Sequence, residues 1–186
     1  MPVNYQIHPS AEVLSNHIGD HTVIWQFCVV FKEAQIGADC RICSHCLIEN
    51  DVVIGDNVTV KSGVQIWDGI SIENYVFIGP NVTFTNDLLP RSQNKDWIKT
   101  RTVIKNNATI GANATILAGV EIGSYGLVGA GSVITRSVPA FTVWYGNPAV
   151  HKGFITKNNV LLNLDCTDPR TGEKYVLKNG IPEKAT

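Results

Sequence analysis

The stretch Ile36-Gly-Ala-Asp-Cys-Arg-Ile42-Cys-Ser-His-Cys-Leu-Ile48-Glu-Asn-Asp-Val-Val-Ile54-Gly-Asp-Asn-Val-Thr-Val60 decides the fold. A β-branched apolar residue falls on every sixth position. The beat runs back through Val30 and Ile24 to Ile18, and forward through Ile66, Ile72 and Ile78 to Phe84. It breaks there and resumes as Ile104, Ile110, Ile116, Ile122, Val128 and Ile134. Four positions after most of these lies a second small or β-branched residue, among them Cys28, Ala34, Cys40, Cys46, Val52, Val58, Val64, Ala108, Ala114 and Val120. A strict internal period of this kind signals a stacked architecture. No helical period of 3.6 survives in the region. The pattern predicts an all-β, parallel β-helix with one short strand per hexad. The first and fifth positions point inward, and stacking buries a core that no single coil could bury alone.

Composition narrows the function classes. The chain has 186 residues and a formal net charge of −1. It has no basic stripe, which argues against nucleic acid as a partner. No apolar run approaches the ~18 residues of a membrane span. Met1 to Ser10 carry neither a charged nor an apolar leader region, so no secretory signal is read there. The five cysteines are odd in number and clustered, which fits a reducing cytoplasm better than a disulfide framework.

The register also accounts for two motifs that invite other readings. Cys40-Arg-Ile-Cys43-Ser-His45-Cys46 resembles a zinc cluster, yet Cys40 and Cys46 fall on interior fifth positions, so they are read as small hydrophobes and no metal is assigned. The Asn-x-Thr sequons at Asn57, Asn81, Asn107 and Asn113 all place Asn at the fourth position. Asn tolerates corner backbone geometry, so turn chemistry explains them.

After Phe84 the beat should fall on Pro90, yet it returns only at Ile104. The segment from Leu88 to Arg101 is therefore extruded from one corner. Long surface loops on rigid scaffolds are often functional. Counting by 18 places Asn50, Asp68 and Asn86 in one column, with Trp67 under Thr85. Asn86 and Asp87 at the loop root are the candidate catalytic pair. Trp67, expected to be exposed, is a candidate ligand wall, with Asp68, Phe84 and Arg91 as further substrate contacts. Beyond the loop, small residues such as Gly111, Ala112, Ala118, Gly119, Gly129 and Ala130 would leave backbone amides open to a long, thin ligand.

The hexad pattern resembles the signature of left-handed β-helix acyltransferases over about residues 7–150. That resemblance implies three hexads per triangular coil: six coils, plus a cap from Ile7 to His17. Two stretches resemble more specifically the N-acetyltransferases that modify nucleotide-linked 3-amino sugars for O-antigen or surface glycans: Gly79-Pro-Asn-Val-Thr-Phe-Thr-Asn-Asp-Leu-Leu-Pro-Arg-Ser92 and Ile110-Gly-Ala-Asn-Ala-Thr-Ile-Leu-Ala-Gly119. The tail Cys166-Thr-Asp-Pro-Arg-Thr-Gly-Glu-Lys-Tyr-Val-Leu177 resembles the branch acting on UDP-linked 3-amino uronic acids, and Val138 to Pro148 resembles the last coil along the CoA arm.

The resemblance implies acetyl-CoA as co-substrate, held by Ala112, Ala118, Gly119, Ala130, Arg136, Pro148 and Lys152. It also implies a dTDP- or UDP-linked amino sugar as acceptor and a homotrimer with active sites at subunit interfaces. No His lies between His45 and His151, which argues against O-acetyl transfer, where a base must activate a hydroxyl. A γ-carbonic-anhydrase-like zinc protein would need three convergent histidines, and a non-catalytic solenoid would not need the loop. The chain is thus divided into a β-helix over 1–150, with its loop at about 87–102, and a C-terminal extension over 151–186. That extension is expected to form two short strands around Asp168 to Gly172 and to cap the open end.

Overall fold

The computed structural model describes residues 4–185. Strands of two or three residues recur at each hexad boundary and end on the first-position residue, and among the described residues there is no helix. They stack in three parallel sheets, one per face of a triangular left-handed coil. Thr59–Val60 pairs in register with Phe77–Ile78 one coil above and with Arg41–Ile42 one coil below. Three hexads therefore return the chain to the same face.

The corners explain the fourth position. Asn57, Asn81, Asn107 and Asn113 have φ between 54° and 61°. Left-handed backbone costs most residues about 1–2 kcal/mol, and Asn among the least. The four sequon asparagines are thus corner residues.

The core is a set of vertical columns. Ile42, Ile48, Ile54, Val60, Ile66 and Ile78 are fully or almost fully buried, and so are the fifth-position residues Val52, Val58, Val64 and Val76. Cys28, Cys40 and Cys46 lie in the same interior. Their thiols donate to the carbonyls of Cys43 at 3.0 Å, Gly55 at 3.0 Å and Lys61 at 3.3 Å. They act as small core side chains.

Three features differ from expectation. The segment expected as a cap is part of the solenoid: Gln6–Ile7 pairs with Val23–Ile24, and Glu12–Val13 with Val29–Val30. The step from Gln6 to Val23 is shorter by one position than the next, from Val23 to Arg41, which hid this coil from a count by eighteen. The strand Ala149–Ile155 runs across residue 150 and pairs antiparallel with Thr142–Gly146. Together with Leu161–Leu162 it covers the upper edge of the largest sheet, protecting unpaired backbone groups. The two expected tail strands do form, but they do not pair with each other. Tyr175–Lys178 makes its own hairpin with Ile181–Lys184.

The insertion falls where the beat breaks. Ile72 pairs with Ile104 and Phe84 with Ile116, so each of these steps spans one coil plus the extruded segment. The coil continues through the interruption, and the loop leaves from a single corner.

Candidate active site

The strand Thr83–Phe84 delivers the chain to the corner where the loop departs. Phe84 sits at a first position and its side chain is buried in the core. It therefore cannot serve as a substrate contact, and its role there is corrected to packing. Its carbonyl accepts the Trp67 indole N–H at 2.9 Å. Trp67 is half-buried and packs against the core rather than standing free as expected. The indole lies back on the coil above because that carbonyl satisfies its one donor.

Asn86 follows two residues later. Its Nδ2 donates to the Asp68 carbonyl at 3.2 Å, and its own carbonyl accepts the Thr100 amide at 3.0 Å. A carbonyl can only accept, so the Asn86 NH₂ must face Asp68 and Oδ1 must face away. Asn86 is thereby oriented as an acceptor. Asp68 is largely engaged within the fold: its amide donates to Glu49 Oε2 and its Oδ1 accepts the Asp51 amide, both at 2.7 Å. Asp87 is half-buried, and its Oδ1 accepts the Leu89 amide at 2.8 Å, which sets the first turn of the loop.

The loop folds back on itself. A pocket of about 300 Å³ opens within it, walled by Leu88, Leu89, Trp97 and Ile98 together with Asp87 and Asp96. Arg91 is exposed and donates to the Pro90 carbonyl at 3.2 Å. The returning arm is anchored by Lys99 and Arg101, which both bind Asp51 Oδ2, the latter at 3.2 Å. The Lys99 hydrogen bond first, and the charge of Arg101 beside it, hold the Asp51 carboxyl below the usual range.

The backbone amides separate into two sets. Ala118 donates to Thr85 Oγ1 at 2.9 Å and Gly119 to Thr102 Oγ1 at 3.1 Å. Ala118 is buried, and a Cβ at Gly119 would lie 2.8 Å from the Thr100 methyl. The expectation of open amides at these two positions is therefore corrected. Two threonine hydroxyls in the coil below, one on each side of the insertion, accept them.

Ala112 stands at the other end of the same face. Elsewhere an Asn or Asp one coil up accepts the equivalent amide, as Asp56 does for Ala38 and Asn74 for Asp56, both at 2.8 Å. Above Ala112 lies Ala130, which has no acceptor side chain. The glycines beside this corner are explained by packing alone: a Cβ at Gly111 would run into the Ala130 amide nitrogen. Higher up, Lys152 Nζ lies 5.5 Å from the Tyr145 ring centre, and Arg136 and Pro148 are exposed.

Neither flanking histidine reaches this region. His45 stacks on Phe27 at 5.0 Å, at the same corner as Ala112 but in lower coils. His151 packs against Trp144 and bonds the Gly153 carbonyl at 2.9 Å. Among the described residues, no three His, Cys, Asp or Glu side chains converge. Asp51, Thr85, Thr100 and Thr102 went unrecognised in the sequence. Asp51 directly follows Asn50 of the marked column, which was a usable signal. The threonines had none.

The sequence profile of the bacterial hexapeptide transferases matches residues 51–86 and 101–136. The chain is also 54% identical, over 94% of its length and 92% of the relative's, to the dTDP-3-amino-3,6-dideoxy-α-D-galactopyranose 3-N-acetyltransferase of Aneurinibacillus thermoaerophilus. The chain belongs to the hexapeptide-repeat acyltransferases. Among solved hexapeptide acyltransferases, one from Vibrio cholerae is 30% identical with a TM-score of 0.56, covering 76% of this chain and 74% of that one. The same Vibrio protein in complex with acetyl-CoA aligns with a TM-score of 0.55 at 29% identity, covering 74% and 70%. A UDP-N-acetylglucosamine acyltransferase from Bacteroides fragilis, 20% identical with a TM-score of 0.66 over 80% and 60%, shares the fold.

Proposed function

We propose that this hexapeptide acyltransferase moves the acetyl group of acetyl-CoA to the 3-amino group of a dTDP-linked amino sugar. The observation that carries the reading is the orientation of Asn86, an acceptor with no charge, on a corner without histidine. A neutral amine is already nucleophilic, so holding it in line does most of the work. A hydroxyl would need a general base.

In this mechanism Asn86 Oδ1 accepts an N–H of the sugar amine and aims the nitrogen lone pair at the thioester carbonyl. The N–C bond forms, the C–S bond breaks, and CoA leaves as thiolate. The surplus amine proton passes to Asp87 or directly to the departing sulfur. An amide such as that of Ala112 would stabilise the tetrahedral oxyanion. Acetyl-CoA would extend from there past Ala130 toward Arg136, Pro148 and Lys152. Arg91 on the loop would meet the nucleotide diphosphate.

Ala112 and Asn86 support a shared site. They flank one sheet face, and the extended chain from Ala112 to Ala118 spans about 20 Å. One copy cannot present both corners to the same amine, whereas a homotrimer closes such a head-to-tail contact on itself. The preference for dTDP rests on the Aneurinibacillus relative, whose alignment includes the tail. The tail's likeness to the uronic-acid branch therefore does not carry a UDP assignment. Among the described residues no helix is long and apolar enough to cross a membrane. The proposed place of action is the cytoplasm, in the synthesis of an O-antigen or other surface glycan.

The test is thiol release from acetyl-CoA against dTDP- and UDP-linked 3-amino and 4-amino sugars. Turnover is expected with a dTDP-linked 3-amino sugar. No turnover with any member of the panel contradicts the assignment.

A further inference from the structure

Five contacts around the loop root form a closed ring. The Asp51 amide donates to Asp68 Oδ1 at 2.7 Å. Asn86 Nδ2 donates to the Asp68 carbonyl at 3.2 Å, and the Asn86 carbonyl accepts the Thr100 amide at 3.0 Å. On either side of Thr100, Lys99 and Arg101 return to Asp51 Oδ2. The ring therefore begins and ends on Asp51 and passes through both the side chain and the main chain of Asn86.

We infer that Asp51 is a positioning residue for Asn86: its carboxylate draws the returning arm of the loop against the corner, and the arm holds the Asn86 backbone in place. The inference rests on the role given to Asn86 above. Two cations share one carboxylate oxygen, so this single side chain fixes residues 48 and 50 positions away. A lone surface ion pair would hold little, because solvent screens it. Here the arm is also seated by the main chain. Gly69 donates to the Asp51 carbonyl at 2.9 Å, and Thr102 donates to the Gly69 carbonyl at 3.2 Å. Gly69 has φ +91°, and a Cβ there would meet the Lys99 side chain at 3.0 Å, so the arm lies directly over it. The ion pairs add direction to an arm already docked. A displacement of about 1 Å at a positioning group can cost about a hundredfold in rate.

The experiment compares the full chain with Asp51→Asn and Asp51→Glu by hydrogen-exchange mass spectrometry without substrate, and by steady-state kinetics. Asp51→Asn should speed exchange in residues 88–101 alone. It should lower kcat by about ten- to a hundredfold and leave the KM for acetyl-CoA unchanged. Asp51→Glu, which keeps the charge, should recover part of both losses. Unchanged loop exchange overturns the latch. Faster exchange with an unchanged kcat overturns the positioning of Asn86, as does faster exchange spread across the whole solenoid. If the wild type acetylates no amino sugar, the functional reading fails while the exchange comparison still decides the latch.

Discussion

Asn86 Nδ2 donates to the carbonyl of Asp68, one coil below, and this contact determines that Asn86 presents oxygen rather than nitrogen to whatever binds at the loop root. Removing it should act on chemistry more than on fold. Asn86→Ala is expected to lower kcat/KM for the amino sugar by about a hundredfold, the scale of one positioned polar group, with little change in the unfolding midpoint. A comparable kcat/KM for the variant would remove Asn86 from the mechanism.

Phe84 was a ligand candidate in the sequence and is a core residue in the fold. Phe84→Ala should therefore cost about 3–5 kcal/mol of stability through the cavity it leaves, read from denaturant unfolding. Phe84→Leu should cost much less and keep its KM values. A raised KM at unchanged stability would restore the ligand reading.

Trp67 donates its indole N–H to the Phe84 carbonyl. Trp67→Phe keeps most of the ring but leaves that carbonyl unpaired, and should lower stability by about 1 kcal/mol. A larger loss in kcat/KM than in stability would assign the indole to substrate binding instead.

Much of this was legible because a period of six counts inward positions without any knowledge of the structure. Ile48, Ile66 and Val64 could be placed in the core by arithmetic alone. The count says which face a residue occupies, not how it lies there, and this misplaced Trp67. Phe84 alone departs from Ile or Val on the beat, and a larger side chain at that position is still interior. Thr85 reaches Ala118 across the insertion, 33 positions away, which a count by eighteen misses, and Thr102 meets Gly119 at 17 positions, one short of that count. Asp51 meets Lys99 and Arg101 through an irregular loop, for which no period exists.

The Asp51 carboxylate makes a pH prediction. Its pKa is lowered in the fold by Lys99 and then Arg101; Asp68 also faces it, but through the Asp51 amide. A depressed carboxylate contributes above its unfolded value of about 4 and loses that contribution as pH falls through the folded value. Loop protection from exchange, corrected for intrinsic rate, should be flat from neutral pH down to the ordinary carboxylate range and fall only below it. A loss beginning near pH 6 would point to another group.

The cysteines offer a test of the register. Cys28, Cys40 and Cys46 are buried, while Cys43 and Cys166 are partly exposed. Burial pushes the Cys40 thiol up, and the Cys28 contact followed by burial does the same for Cys46. An aromatic disulfide reagent should titrate two thiols in the native protein and all five after unfolding. Rapid reaction of Cys40 or Cys46 would place that part of the chain outside the core.

The central claim is that the site acetylates an amine by orientation. The most direct measurement gives the protein acetyl-CoA with dTDP-3-amino-3,6-dideoxygalactose or its 3-hydroxy counterpart, and follows free thiol and the position of the acetyl group by NMR. The account predicts stoichiometric thiol release with acetyl on the 3-nitrogen, and negligible turnover of the hydroxyl sugar. Equal turnover of both sugars, or acetyl found on a ring hydroxyl, would contradict it.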